Sequence, residues 1–555
     1  MKKRFLTLLL ALILPFTMAG LLAGCGNSNS STTSSSTNPA TDETISAQET
    51  TSAFSITTSD GTVTNDGTIY TISHSGTYSV TGGLSGQILV NNTDSTDTAD
   101  IIIELNGTTI TYGEDSPIKI VSDYNDVQIS AKKKTDNVIK DTRSNKTTDI
   151  ESQGESAIYS KADLKIKGKG TLVVTGNYNN GIHTTKDLKL QNLSLKVTAY
   201  NNAIKGNNSV KISEGGTFVF ISTNGDGIKT EDTTTSKGNI TIEAGTISVY
   251  AAGDGIQAAR DFYLQNGTDD DGNTTTPTLS IYTGSYSGYT ASNATTTSYK
   301  GIKVQNELNI SAGTLNLKTY DDGLHADYGT TFEDSTKGQG TINISGGTIE
   351  TYVYSPANKT STGRQGPGSW GNQQSVSGAD GIHADYKLNI SGGTINLDSA
   401  YEGLEANVIT ISGGNTYIYA NDDGINATSG KDTTAIIITG GYVDVTVSPS
   451  GDTDGIDSNG KYTQTGGVVI VRGPSGGGAA ALDTDGTANI TGGTIIILGG
   501  LGEKGLTRGS NISSYNLSLH SSGSHTIKIN GTSYTFSNSY TFSKTICYSG
   551  VTVSA

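Results

Sequence analysis

Cysteine is nearly absent. Cys25 and Cys547 are the only two in 555 residues, too few for a disulfide framework. Positive charge is also short: 36 Lys and Arg stand against 52 Asp and Glu, a net charge of −16. Nucleic-acid binding needs a basic footprint, and none exists; the run Lys132-Lys133-Lys134 reads as a solvated strand end. Past the first residues, no stretch reaches the roughly 20 apolar residues that a helix needs to cross a bilayer. Helical periodicity is missing too. Proline is scarce, and Ile, Val, Thr and Tyr dominate the apolar runs, as β-structure prefers.

The chain opens MKKRFLTLLLALILPFTMAGLLAGC. Lys2, Lys3 and Arg4, an apolar run and then Leu22-Ala23-Gly24-Cys25 read as a secretory signal over 1–24. Leu-Ala-Gly-Cys resembles the bacterial lipobox, so Cys25 is expected to be lipidated and to begin the mature chain. Loss of the three cations takes the net charge from −16 to −19. The acyl chains would be the one membrane contact, holding the protein on the extracellular face. Residues 25–53 are Ser/Thr-rich without apolar period, which predicts a flexible linker.

What is abundant is glycine, and it recurs in register. Phrases such as DGIKT, DGIQA, DGLHAD and DGIHAD place Gly181, Ala203, Gly227, Gly255, Gly301, Gly323, Gly381, Gly403, Gly424 and Gly455 at equivalent points. Their spacings are 22, 24, 28, 46, 22, 58, 22, 21 and 31 residues, a base period of about 22. A second phrase follows in the later units: ISAGTLNL (310–317), ISGGTIET (344–351), ISGGTINL (390–397), ITGGYVDV (438–445), ITGGTIII (490–497). A unit this short cannot bury its apolar face alone and must stack on its neighbours. Propeller blades run to about 40–45 residues, and the leucine-rich pattern is missing. The expected fold is all-β: a right-handed parallel β-helix over 54–510, about 22 residues per coil, with a small C-terminal β cap over 511–555.

Strand alternation turns Leu324 and Ala326 inward and His325 and Asp327 outward, and likewise Ile382 and Ala384 against His383 and Asp385. The spacing of 58 is one coil plus 36 inserted residues, so His325 is expected over His383 and Asp327 over Asp385. The outer row then reads Lys229, Gln257, Lys303, His325, His383, Glu405, Asn426 and Asp457. The turn before each Gly adds Asp226, Asp254, Lys300, Asp322, Asp380, Glu402, Asp423 and Asp454, with Asp422 and Asp452 beside the later ones. Stacked like charges repel, and dense hard oxygens suit Ca²⁺. Expected calcium ligands are Asp226, Asp254, Asp322, Asp327, Asp380, Asp385, Glu402, Glu405, Asp422, Asp423, Asp454 and Asp457. Turn aspartates can instead bond their own backbone. The histidines read as partners for carboxylates or sugar hydroxyls, with zinc a lesser alternative. Insertions at 284–299 and 355–378 are expected to wall a cleft over Lys303, His325 and His383, carrying Tyr286, Tyr289 and Trp370 for stacking on sugar rings.

The segments GTYSVTGGLSGQILVNN (76–92), IIIELNGTTIT (101–111), SPIKIVS (116–122) and DNVIKDT (136–142), followed by the DGIHAD coils, resemble the clostridial carbohydrate-binding β-helix family. That resemblance spans roughly residues 54–510. It implies a calcium-bearing surface protein, similar in fold to pectate lyases, that binds cellulose or an acidic, pectin-like polysaccharide. The alternatives are a calcium-dependent lyase with Lys303 as base and Lys229 or Arg364 behind it, a structural adhesin, and a paired-carboxylate glycosidase. A monomer is expected, with polysaccharide as partner.

Overall fold

A computed structural model describes residues 45–144, 156–284, 298–354, 378–476 and 478–555. Cys25, Tyr286, Tyr289, Arg364 and Trp370, together with the signal and most of the linker, lie outside the described residues. The described residues are all-β, without α-helix. Alternation is the cause. In Thr278–Thr283 the side chains of Leu279, Ile281 and Thr283 are buried, while Thr278, Ser280 and Tyr282 face outward. That period of two cannot be carried by a helix.

The strands form three parallel ladders. The first runs from Ile69–Ile72 to Ile456–Ser458. The second runs from the near half of Gly76–Ser85 to Thr507–Arg508. The third runs from the far half of Gly76–Ser85 to Thr494–Leu498. The chain visits each ladder once per sequence repeat. Inward residues therefore stack on their equivalents. Ile228, Ile256, Ile302, Leu324, Ile382, Leu404, Ile425 and Ile456 form one such row, each with no exposed surface. Burying an Ile or Leu is worth about 1.5–3 kcal/mol, and each coil obtains it only from its neighbours.

Glycine is needed where coils touch. A Cβ on Gly323 would lie 2.5 Å from the Gly381 carbonyl oxygen and 2.5 Å from Thr351 Cγ2. In the Gly-Gly turns the second glycine takes positive φ, 83° at Gly347 and 85° at Gly393, which other residues adopt at a cost. Longer spacings hold local antiparallel hairpins, such as Tyr328–Thr331 with Lys337–Gln339.

Both ends are dressed by the chain itself. Residues 45–53, expected in the linker, instead lie along the early coils: Ile45 is buried against Val219 and Ile221, and the Thr50 N–H donates to Thr109 Oγ1. An apolar residue and backbone bonding suffice to hold this segment. At the other end Thr545–Ser549 pairs antiparallel with Thr494–Leu498. The sheet Gly523–Ile529, Thr532–Asn538, Val553–Ser554 belongs to an apolar cluster with Ile470, Ile496 and Leu498. The cap thus ends the third ladder and also covers its outer side. Cys547 is a free, buried thiol in that cluster.

Candidate functional site

The outward row of the first ladder pairs Lys205, Lys229, Gln257, Lys303, His325, His383, Glu405, Asn426 and Asp457 in strict register. The His325 and His383 rings stand 4.8 Å apart. Between these two strands the pairing ends at Ala326 and Ala384; beyond it Asp385 Oδ2 accepts the Tyr328 N–H at 2.8 Å, and the Tyr328 and Tyr386 rings stand 5.6 Å apart.

The turn acids carry a structural duty first. In five of them one carboxylate oxygen accepts the backbone N–H of the equivalent residue one coil on. Asp226 accepts from Asp254 at 2.9 Å, Asp254 from Lys300 at 2.8 Å, and Asp322 from Asp380 at 2.8 Å. Asp380 accepts from Glu402 at 3.1 Å and Asp423 from Asp454 at 2.7 Å. Upstream, Asn202 does the same for Asp226 at 3.0 Å.

The second oxygens divide the face into two zones. In the first, cations meet them. Lys229 Nζ lies 3.3 Å from Asp226, Lys300 Nζ 2.7 Å from Asp322, and Lys303 Nζ 3.3 Å from Asp327. His325 sits between Asp322 and Asp327, each 2.8 Å from a ring nitrogen. His383 meets Asp380 at 3.1 Å, Glu405 at 2.9 Å and Asp385 at 3.2 Å. Burial opposes charge on both rings, but these bonds outweigh it and raise both pKa values. Both imidazoles are held as imidazolium donors, so they are poor metal ligands in this state. The calcium ligands expected at Asp226, Asp322, Asp327, Asp380, Asp385 and Glu405 are thus already paired with protein cations, and Asp254 bonds Ser298 Oγ at 2.7 Å. Repulsion between stacked acids is answered here by interleaved bases.

At the upstream end of this zone is a polar cleft of about 360 Å³, lined among others by Asn202, Lys205, Asn224, Lys229, Gln257 and Lys303. Lys205 pairs with Glu231 at 2.6 Å. Asn224 is fully buried, and neither of its amide atoms has a hydrogen-bond partner among the described residues. Burial opposes charge on Lys229, yet Asp226 and Glu231 raise its pKa. It is held protonated, which removes the free amine a general base requires.

In the second zone the bases stop. Glu402, Asp422 and Asp423 place carboxylate oxygens within 4.8 Å of one another. Burial pushes the Glu402 carboxyl up to about 10, with Glu405, Asp380 and Asp423 adding repulsion. Burial likewise lifts Asp423 to about 8 and Asp457 to about 7, each with neighbouring carboxylates reinforcing it. Asn426 Nδ2 donates to Glu402 Oε1 at 3.0 Å, but Glu402 Oε2 and Asn426 Oδ1 are buried without a hydrogen-bond partner among the described residues. A buried, unsatisfied oxygen pair among carboxylates is costly unless a cation or proton completes it. An all-oxygen donor set of this kind fits Ca²⁺.

Lys205 and Asn202 escaped the sequence reading, although NAIKG (202–206) places Lys205 one coil before Lys229. Lys300 is readable as a base in the turn row, but its pairing with Asp321 and Asp322 at 3.0 and 2.7 Å is not. Upstream in the same row, His183 is buried with Nε2 3.1 Å from Asn207 Oδ1, and burial, with Lys205 nearby, lowers it to about 4. The unfolded chain takes up this proton first, near pH 6.5, so stability falls as pH drops from about 6.5 toward 4. The wild type should lose about 3 kcal/mol more than His183→Gln across that window. Urea unfolding at pH 7 and pH 4 measures the difference; equal losses would show that His183 does not titrate this way.

A family model described as carbohydrate-binding domain-containing protein matches residues 65–353 and 330–424. A relative of the same description from Acetivibrio thermocellus is 36% identical over 130 residues, which are 23% of this chain and 44% of the relative. The match thus spans less than half of that relative's length. A solved structure, a polysaccharide lyase-like protein from C. thermocellum as its gadolinium derivative, is 28% identical with a TM-score of 0.37, covering 46% of this chain and 92% of its own. The family match takes in more than half of the chain, from the first coils to the Glu402 turn, and the protein belongs to the carbohydrate-binding domain-containing family.

Proposed function

We propose that the first-ladder face binds an acidic polysaccharide, with Ca²⁺ held at its Glu402 end, and that the three ladders are the faces of a right-handed parallel β-helix. The hand follows from the crossover rule for parallel strands; a left-handed coil in an experimental density map would overturn it. One observation carries the binding reading. A row of outward side chains one coil apart passes from lysines over a polar cleft to buried oxygens that have no hydrogen-bond partner among the described residues. A uronate chain lying along this row presents carboxylates to Lys205, Lys229 and Lys303, and hydroxyls to Gln257 and Asn224. The net charge of −16 opposes such a ligand, so the local cations must supply the attraction. Glu402, Asp422, Asp423 and Asn426 would hold Ca²⁺, which supplies a local positive charge. Lys303 lies 3.3 Å from Asp327 and Lys229 3.3 Å from Asp226, so both amines are engaged as charge partners, which favours binding over β-elimination.

Chelation should lower the unfolding midpoint and weaken binding of polygalacturonate. At free Ca²⁺ about 100 times its Kd, the lost stabilisation is about 2.7 kcal/mol. Glu402→Gln with Asp423→Asn should abolish the calcium dependence. Calorimetry showing the same midpoint and the same polygalacturonate affinity with and without chelator would overturn the calcium assignment. No binding of polygalacturonate under either condition would overturn the ligand.

A further inference from the structure

The third ladder has an outer face of its own. Its early part is covered by Ile45 over Val219 and Ile221, and its late part by the cap over Ile470, Ile496 and Leu498. Between these covers the outward column reads Tyr250, Tyr282, Lys318 and Tyr352 in register. Tyr250 and Tyr282 stack face to face, 5.0 Å apart and 8° from parallel. The second face of the Tyr282 ring therefore looks along the ladder to the next coil. There Lys318 offers no ring, and Tyr352 stands one coil further, 43% exposed. Two coils span about 9.5 Å, room for one inserted ring between the two tyrosines. The space is a cleft of about 340 Å³, lined among others by Tyr282, Asn316, Lys318, Glu350, Tyr352 and Asp398. Beside it Tyr320 and Tyr354 stack at 5.6 Å and extend the aromatic surface.

We propose that this cleft is a second glycan subsite, on a different face from the first, that takes one sugar ring of a neutral β-linked glycan between Tyr282 and Tyr352. The proposal rests on the carbohydrate-binding reading but not on calcium. A pyranose ring has two C–H faces and a rim of hydroxyls. The tyrosines supply apolar faces, and Asn316, Lys318, Glu350 and Asp398 supply the rim partners. Glu350 and Asp398 would repel a uronate carboxylate, so the neutral glycan is selected by charge. The three outward columns of this face are also flat and in register. Thr278, Thr314, Thr348 and Thr394 run beside Ser280, Asn316, Glu350 and Asn396, so an extended chain can continue from the cleft over hydroxyl and amide groups.

The test is calorimetric titration of the full chain with cellohexaose in chelator, and with polygalacturonate in Ca²⁺. Wild type should bind cellohexaose despite the chelator. Tyr352→Ala should weaken it about tenfold, and Tyr282→Ala with Tyr352→Ala further. Tyr352→Phe should keep the affinity within about threefold, since the ring face remains. Polygalacturonate binding should be unchanged in all three variants. Cellohexaose affinity unmoved by the double variant would overturn the subsite, as would wild type that takes polygalacturonate but no cellohexaose; the first-face reading then stands. Wild type that takes neither glycan overturns both. Sedimentation velocity is the companion measurement: a wild-type dimer split by the tyrosine substitutions would make this face a self-contact and overturn the proposal.

Discussion

His383→Ala should cost about 3 kcal/mol of stability in the presence of chelator. The imidazolium is the common partner of Asp380, Asp385 and Glu405, at 3.1, 3.2 and 2.9 Å. Its removal leaves three carboxylates facing one another, with Asp380 buried. Breaking a buried pair by deleting one member typically costs about 3–5 kcal/mol; the side chain here is 23% exposed, so the low end applies. The same deletion turns a compensated rung into an all-oxygen cluster like that at Glu402. Added Ca²⁺ should therefore recover part of the loss in the variant. Urea unfolding of wild type and variant, each with chelator and with Ca²⁺, gives the four numbers needed. A loss below about 0.5 kcal/mol in chelator would show that the ring does not neutralise these acids.

Arg472→Ala should be at least as severe, by about 3–5 kcal/mol, and should release the C-terminal cap. Arg472 is fully buried. Its Nη1 donates to the Asp444 carboxylate and, at 3.2 Å, to the Val445 carbonyl oxygen. Its Nε donates to Asn538 Oδ1 at 2.7 Å, and its guanidinium lies 5.0 Å from the centre of the Phe536 ring. Asn538 in turn bonds the carbonyls of Leu519 and Ser521 at 2.7 and 2.9 Å. One cation thus joins the last coils to the cap. Without it the Thr494–Leu498 edge and the apolar surface of Ile470 and Ile496 become accessible. An uncovered edge strand recruits other chains, so the variant should aggregate on mild heating. Hydrogen exchange should show protection lost over 513–555 before it is lost in the coils. Unchanged protection of the cap would contradict this role.

Counting places Lys300 among the acids of the turn row, but not the ion pairs its amine makes with Asp321 and Asp322. The outward row from Lys229 to Asp457 follows from counting, because a period near 22 and strand alternation leave one register that keeps Ile228, Ile256, Ile302, Leu324 and Ile382 inside. His325 over His383 follows from the same count across 58 residues. Asp327 and Asp385 lie just past the last paired residues, Ala326 and Ala384, where the Tyr328 N–H turns to the Asp385 carboxylate. The acids were legible as a dense array, but not their division of labour. Asp226, Asp254, Asp322, Asp380 and Asp423 each use one oxygen to hold the next coil, and only the packing decides whether a lysine or histidine reaches the other.

By itself, then, the sequence determined the all-β class, the repeat, the inward and outward residues and the acidic character of one face. Those properties are local or periodic, set by alternation and by glycine at points of contact. It also carries the whole of the reading at Cys25. Only the tertiary structure decided which carboxylates are neutralised, that Glu402 Oε2 and Asn426 Oδ1 are buried without partners among the described residues, and that Tyr282 and Tyr352 flank a cleft left between two covers. Those depend on groups tens of residues apart in sequence. Stacking brings them within a few ångströms, and charge, hydrogen bonding and ring stacking act only over such distances.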